Sequence, residues 1–227
     1  MLSNCCATSP SVRRAWRLIV TLQLVAALVV TAEVARAQDT DEQAATTTEK
    51  SATSSAVRFL AGGLTGLAAH ESGHLLFDAI FDAGPGLKRV SFHGVPFFAI
   101  THESGLPPRQ EFVIDSAGFW VQAATNEIIL TKRPNLRSES APFTKGLVAF
   151  NVIASVAYAG AAFARTGPAE RDTRGMAQSL GWKEPYVGVV ILVPAVLDAV
   201  RYFHPGARWA VWGSRASKLF SVALVFK

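Results

Sequence analysis

Cysteine is scarce in this sequence, and both cysteines, Cys5 and Cys6, stand near its N-terminus. They lie within a predicted secretory signal that spans residues 1–37, so the exported chain would contain neither a disulfide nor a thiolate metal ligand. A metal site in the remaining chain must therefore be built from histidine and carboxylate side chains.

Net charge is also scarce once that signal is set aside. The whole chain carries a formal charge of +5, but residues 1–37 hold four arginines and one glutamate, so only +2 remains for the rest. The basic isoelectric point is thus no argument for a polyanionic partner, and we expect no nucleic acid to bind. Internal repeats are lacking as well.

The signal itself has the three expected parts. Arg13, Arg14 and Arg17 form a basic region, Leu18 to Ala32 is apolar, and Ala35-Arg36-Ala37 is a small-x-small cleavage site. The apolar part is long, so an uncleaved N-terminal anchor is the alternative. Residues 38–55 follow, rich in Thr, Ala, Ser, Asp and Glu without apolar periodicity, which is typical of a disordered linker.

Hydrophobic residues make up 50% of the chain and its mean hydropathy is +0.26, values that favour a membrane protein over a soluble domain of this length. Residues 56–81, 146–164 and 186–203 are predicted spans. Residues 112–130 have one polar face, so they either span the membrane or lie in its interface.

These segments predict an all-α membrane protein, a bundle of about three to four transmembrane helices. A short extended or hairpin segment is expected near residues 90–101, where aromatic and β-branched residues follow a Gly-Pro-Gly break. The membrane-embedded domain would cover residues 56–205. Residues 206–227 mix tryptophan, phenylalanine and basic residues at helical spacing, which predicts an amphipathic interfacial helix.

Within the first predicted span stands His70-Glu71-Ser72-Gly73-His74. Residues i and i+4 share one face of a helix, so His70 and His74 can offer two imidazole nitrogens to one Zn²⁺, with Glu71 beside a water molecule as general base. Ionisable side chains are costly in an apolar segment and generally mark a functional site there. The alternative is a pair of histidines that only joins helices in a bundle.

A catalytic zinc site needs a third protein ligand, and Asp198 is the first candidate. Pro194 interrupts the backbone hydrogen bonds of that apolar helix, and a broken helix could direct Asp198 at the metal. The alternative role of Asp198 is an ion pair with Arg201, three residues further on. Glu127 is the rival third ligand, because it lies on another helix and His-His-Glu sets occur in zinc hydrolases.

His-Glu-x-x-His in an apolar helix, followed more than a hundred residues later by Pro194-Ala-Val-Leu-Asp198 in another, resembles the site-2 protease group of intramembrane zinc metalloproteases. The resemblance covers these two motifs, their spacing and the hydropathy between them. It implies a three-helix core with His70, His74 and Asp198 on zinc, Glu71 as base, and a membrane-associated protein substrate. Two departures are Ala199, where the family commonly has glycine, and the lack of a recognisable PDZ insertion.

The sequence thus predicts a multi-pass membrane zinc endopeptidase, and a bacterial inner membrane fits the alanine-rich signal. Asn151, in the middle of a predicted span, is a candidate contact to the oxyanion or the substrate, or else a bond between helices. The alternative function is a nonenzymatic metal-binding or scaffold protein of the membrane. A soluble secreted peptidase is disfavoured by the length of the apolar segments.

Overall fold

The computed structural model describes residues 48–92, 95–103 and 105–227. The predicted signal at residues 1–37 therefore lies outside the described residues, as do positions 38–47 of the predicted linker. The last part of that linker, residues 48–55, is helical: the first helix already begins at Thr48.

The described chain is mostly helical, with one small antiparallel sheet, as the sequence predicted. Its elements in order are α1 (Thr48–Phe81), β1 (Gly86–Phe92), β2 (Val95–Thr101), α2 (Pro108–Lys132), α3 (Pro142–Ala164), α4 (Asp172–Leu180), α5 (Glu184–Phe203) and α6 (Arg208–Ala223). Two short 3₁₀ turns, Leu136–Ser138 and Leu224–Phe226, complete it.

The hairpin predicted near residues 90–101 is present and somewhat longer than expected. Helix α1 ends where Asp82 and Gly84 take positive φ angles of 53° and 60°, which turns the chain out of the helix. The strands then pair from Gly86 opposite Thr101 to Phe92 opposite Val95.

Helices α1 and α3 touch through their backbones. A Cβ atom on Gly62 would lie 2.0 Å from the carbonyl oxygen of Phe143, and one on Gly146 would lie 1.9 Å from that of Phe59. A side chain on Gly66 would meet the ring of Phe150 at 2.7 Å. The small residues at these positions therefore let the two helix backbones approach closely.

Helix α2 is the centre of the bundle. Its buried residues are spread over most of its length, and it packs against α1, α3, α4, α5 and α6. Because α1, α2, α3 and α5 alternate in direction, the two long connections, residues 82–107 and 165–183, emerge at the same end. We call this the hairpin end; it carries the sheet and α4.

Two described helices, α3 and α5, are long and apolar enough to cross a membrane. Only 33% of the apolar window of each is buried inside the protein, whereas a core helix of a soluble protein is mostly buried. Large apolar side chains point outward instead, among them Ile153, Val156 and Phe163 on α3 and Val189, Val193 and Val196 on α5.

Candidate metal centre

The two histidines of the motif face the interior of the bundle, at 2% and 5% exposure for His70 and His74. They lie one turn apart on α1, and their Nε2 atoms are 3.2 Å from each other. The i,i+4 spacing has therefore produced the shared face that the sequence predicted.

A carboxylate from the connection between α3 and α5 completes the cluster. Asp172, the first residue of α4, places its Oδ2 atom 3.2 Å from Nε2 of His70 and 3.5 Å from Nε2 of His74. Among the described residues these three form the one group of histidines and carboxylates whose ligand atoms all lie within 4.8 Å of each other.

The three atoms fit a tetrahedral zinc ion. With zinc bonded to nitrogen and oxygen at its usual lengths, neighbouring ligand atoms of a tetrahedron are about 3.3 Å apart. The triangle of His70 Nε2, His74 Nε2 and Asp172 Oδ2 has edges of 3.2, 3.2 and 3.5 Å. Three protein ligands on one triangular face leave the fourth position for water or substrate, as in catalytic zinc sites.

Helix α2 fixes both imidazole rings. Nδ1–H of His74 donates a hydrogen bond of 2.8 Å to the carbonyl oxygen of Ile114, which leaves the Nε2 lone pair free for a metal. The ring of His70 lies against Gly118, where a Cβ atom would stand 2.5 Å from it. The side chain of Tyr158 stacks on the same ring, with 5.9 Å between centroids.

Electrostatics favours an ionised carboxylate at Asp172. Burial alone would raise the pKa of its carboxyl group, but the positive charge that His74 carries when it is protonated and the hydrogen bonds from His70 and His74 outweigh that effect and hold the pKa below its usual range. Metal ligation requires this deprotonated form. Glu71 is close enough for its charge to interact with those of His70, His74 and Asp172.

Asp198, the predicted third ligand, lies elsewhere in the bundle. It accepts hydrogen bonds from Ser214 Oγ at 2.6 Å, from Lys218 Nζ at 2.8 Å and from Arg201 at 3.3 Å. The alternative predicted for it, the ion pair with Arg201, is therefore present. Its role as a ligand stays a prediction, for which this placement offers no support.

Glu127, the rival ligand, belongs to the same second cluster. It accepts hydrogen bonds from Arg201, Arg215 and Lys218. Helix α2 explains the separation from the metal centre: Gly118 touches His70, and Glu127 follows about 13 Å further along the helix axis. The two clusters are thus built on opposite halves of one helix.

Asn151 joins helices α2 and α3. Its Nδ2 donates to Oδ1 of Asn126 at 2.9 Å, and Ser155 on the same helix donates to Oε1 of Gln122 at 3.3 Å. This is the interhelical bond that was the alternative to an oxyanion contact. The contact to an oxyanion or substrate stays a prediction.

Sequence reasoning missed Asp172. The residue begins a nine-residue helix in the hydrophilic stretch between the predicted spans 146–164 and 186–203. The local signal is an acidic residue in the first helical turn, which is common in helices without any metal.

Comparisons with protein-family models, curated proteins and solved structures give no match for this chain.

Proposed function

We propose that this protein is a metal-dependent hydrolase, with a zinc ion held by His70, His74 and Asp172 and with Glu71 as the general base. The observation that carries the proposal is the nearly equilateral triangle of ligand atoms, with edges of 3.2, 3.2 and 3.5 Å. It combines a helical His-Glu-x-x-His motif with a partly buried carboxylate from a separate element.

More specifically, we propose a membrane-embedded endopeptidase similar to the site-2 proteases, acting on membrane-associated proteins. The outward apolar faces of α3 and α5 and the exposed apolar residues of α1, including Leu60, Leu64 and Leu67, support embedding in a bilayer. The use of Asp172 in place of Asp198 would be a departure from the ligand set that the resemblance implies.

In the proposed hydrolysis, zinc and the side chains around it would each have a separate role. Zinc bound at this site would lower the pKa of a water molecule toward about 7 and polarise a scissile carbonyl. The Glu71 carboxylate would take the proton of the attacking water and deliver it to the leaving amine. Ile114 and Gly118 keep the two imidazoles in place, while the neighbouring rings of Phe119 and Tyr158 shield His70 from water.

Zinc analysis of purified wild type, Asp172→Asn and Asp198→Asn tests the ligand set. We expect about one zinc per chain in wild type and in Asp198→Asn. Asp172→Asn should lose zinc, because it replaces the charged carboxylate of the ligand triangle with a neutral amide. A wild type without zinc contradicts the proposal. Loss of zinc from a folded Asp198→Asn together with retention in Asp172→Asn would reverse the assignment of the third ligand.

Glu71→Gln separates a hydrolase from a nonenzymatic metal-binding protein. The substitution leaves the three ligands in place, so zinc content should match that of wild type in either case. A hydrolase should lose cleavage of membrane-protein substrates by a factor of about 100 or more, since general-base catalysis contributes that much. Undiminished function of Glu71→Gln would favour the binding protein.

A further inference from the structure

A polar cleft opens beside the metal centre at the hairpin end. It has a volume of about 180 Å³ and lies between the end of β2, the N-terminal half of α2 and the start of α4. Its wall includes His74 and Asp172 of the metal centre. A substrate bound in this cleft would therefore lie directly beside the proposed zinc ligands.

The cleft is acidic. Four carboxyl side chains line it, Glu111, Asp115, Glu170 and Asp172, against Arg171 and the imidazoles of His74 and His102. Arg171 is already engaged in a two-pronged ion pair, with both hydrogen bonds to Glu184 at 2.6 Å. Its positive charge is thus largely neutralised by a carboxylate outside the cleft.

Three of the four carboxylates have their own partners. Glu170 pairs with Lys88 of the hairpin at 2.5 Å, which lowers the pKa of Glu170 through that hydrogen bond, and Asp172 faces the two histidines. Glu111 accepts a hydrogen bond of 3.0 Å from Nε2 of His102. The remaining carboxylate, Asp115, has a buried Oδ2 atom without a hydrogen-bond partner among the described residues.

A second unpartnered carboxylate stands behind His102. Asp78 on α1 is 0% exposed, and no hydrogen bond from the described part of the chain reaches either of its oxygens. Its Oδ1 lies 3.7 Å from Nδ1 of His102, so it faces the same group as Glu111 does. One imidazole thus serves the carboxyl groups of both Asp78 and Glu111.

Asp115 packs closely against helix α4. A Cβ atom on Gly175 of α4 would lie 2.1 Å from Oδ2 of Asp115, so the carboxylate is seated against a glycine. A buried carboxylate without a partner is costly, and a cation beside it would lower that cost. Outside the His70, His74 and Asp172 group, the described histidines and carboxylates do not converge closely enough to hold a metal ion.

We propose that this cleft binds a positively charged side chain, lysine or arginine, next to the bond that is cleaved, with Asp115 and Glu111 as its specificity-determining residues. The inference rests on the proposed peptidase function and adds its substrate class. Segments that flank the cytoplasmic ends of transmembrane helices are rich in lysine and arginine. A peptide with such a residue would bring an ammonium or guanidinium group beside the Asp115 and Glu111 side chains that line the cleft, a charge-assisted contact.

Peptide binding tests the inference without requiring cleavage. The full-length protein, in nanodiscs of zwitterionic lipid, is titrated into three fluorescein-labelled peptides. These differ at a single position, which holds lysine, its uncharged analogue norleucine, or glutamate. We expect wild type to bind the lysine peptide about 10- to 100-fold more tightly than the norleucine peptide, as for hydrogen bonds to a charged group, and the glutamate peptide most weakly. Anisotropy gives the three dissociation constants.

Two variants assign the preference to the cleft. Asp115→Asn and Glu111→Gln each remove one negative charge with little change in shape, so the ratio of lysine to norleucine affinities should fall toward one. Glu139→Gln, an equivalent change in the connection between α2 and α3, is the control and should keep the wild-type ratio. Thermal unfolding of each variant establishes that it is folded.

The outcomes are distinct from those of the zinc test. The inference is overturned if wild type binds the lysine and norleucine peptides equally, or if it binds neither. It is also overturned if the ratio of the two affinities is unchanged in both folded cleft variants. A wild type without zinc would contradict the proposed hydrolase instead, and it is measured separately on the same samples.

Discussion

At the scale of single residues, the position of the His70 ring depends on the absence of a side chain at Gly118. A Cβ atom there would lie 2.5–2.6 Å from three atoms of the imidazole. We expect Gly118→Ala to displace the ring and to weaken zinc binding about 10- to 100-fold, as the loss of groups that orient metal ligands does. Competition with a chromogenic zinc chelator measures the affinity.

Gly160→Ala is the matched control for this change. Gly160 lies on α3, and a Cβ atom there would have nothing within 4 Å. Its zinc affinity should equal that of wild type. Equal affinities for Gly118→Ala and Gly160→Ala would show that the glycine on α2 does not orient the metal ligand.

Only part of the metal centre could be predicted from residue patterns. His70 and His74 could be predicted because helical spacing alone places both on one face. Asp172 could not, since it comes from a short helix whose position is set by tertiary packing, and its sequence resembles any helix start. Asp198 matched a motif, but Lys218 of α6 and Arg201 of α5 pair with it near the other half of α2.

At the scale of elements, the crossing of α1 and α3 should be the most sensitive to added volume. Gly62→Ala would place a methyl group 2.0 Å from the Phe143 carbonyl oxygen, and backbone cannot yield as a flexible side chain can. We expect the free energy of unfolding to fall by about 1–3 kcal/mol. The apparent melting temperature in detergent, followed by circular dichroism, reports the loss.

The adjacent glycine provides the comparison. A Cβ atom on Gly63 would have its nearest neighbours at 3.9 Å, an ordinary contact distance. Gly63→Ala should therefore be neutral or stabilising, because alanine has the higher helix propensity. A melting temperature lowered equally by both substitutions would contradict the close crossing of α1 and α3.

Helix α6 should depend on the ion cluster around Glu127. The side chain of Arg201 is 3% exposed and pairs with Glu127, while Arg215 and Lys218 reach the same carboxylate from α6. Glu127→Ala would leave Arg201 and Lys218 with Asp198 and would remove the carboxylate that Arg215 contacts. We expect a loss of about 3 kcal/mol, the lower end for a broken buried pair, since Glu127 is 25% exposed. Hydrogen exchange in residues 208–223 should accelerate.

Glu139→Ala is the control for the ion cluster. The Glu139 carboxylate pairs with Arg133, but both side chains are substantially exposed, so the pair should contribute less than about 1 kcal/mol. Exchange in residues 208–223 should stay at the wild-type rate in this variant. If Glu127→Ala also leaves that rate unchanged, packing alone holds α6 in place.

At the scale of the whole molecule, the sequence predicted the helical class and the hairpin, but not how far along the helices the metal centre lies. Apolar segments long enough to span are recognised by composition. The contact points between the helices depend on close packing at Gly62, Gly73, Gly118 and Gly146. Hydropathy contains no information about these contact points. Tyr158, beside His70, is six residues from the end of α3, about 9 Å along its axis.

The proposed membrane arrangement places the two ends of the bundle on opposite sides. Helix α3 spans 23 residues, about 34 Å, slightly more than the hydrocarbon thickness of a bilayer. Thr166 follows its last turn at the hairpin end, and Ser140 precedes its first turn; both are exposed. With Cys5 and Cys6 replaced by serine, Thr166→Cys and Ser140→Cys are single labelling sites in an otherwise cysteine-free chain.

We expect a membrane-impermeant maleimide to label the two sites from opposite faces of sealed vesicles, one in right-side-out and the other in inverted preparations. Labelling of both from the same face would contradict a spanning α3. The face that exposes Thr166 is also the one on which the acidic cleft opens, because residues 165–183 contribute Asp172 and Glu170 to its wall. This experiment therefore identifies the compartment from which a basic substrate segment must approach the metal centre.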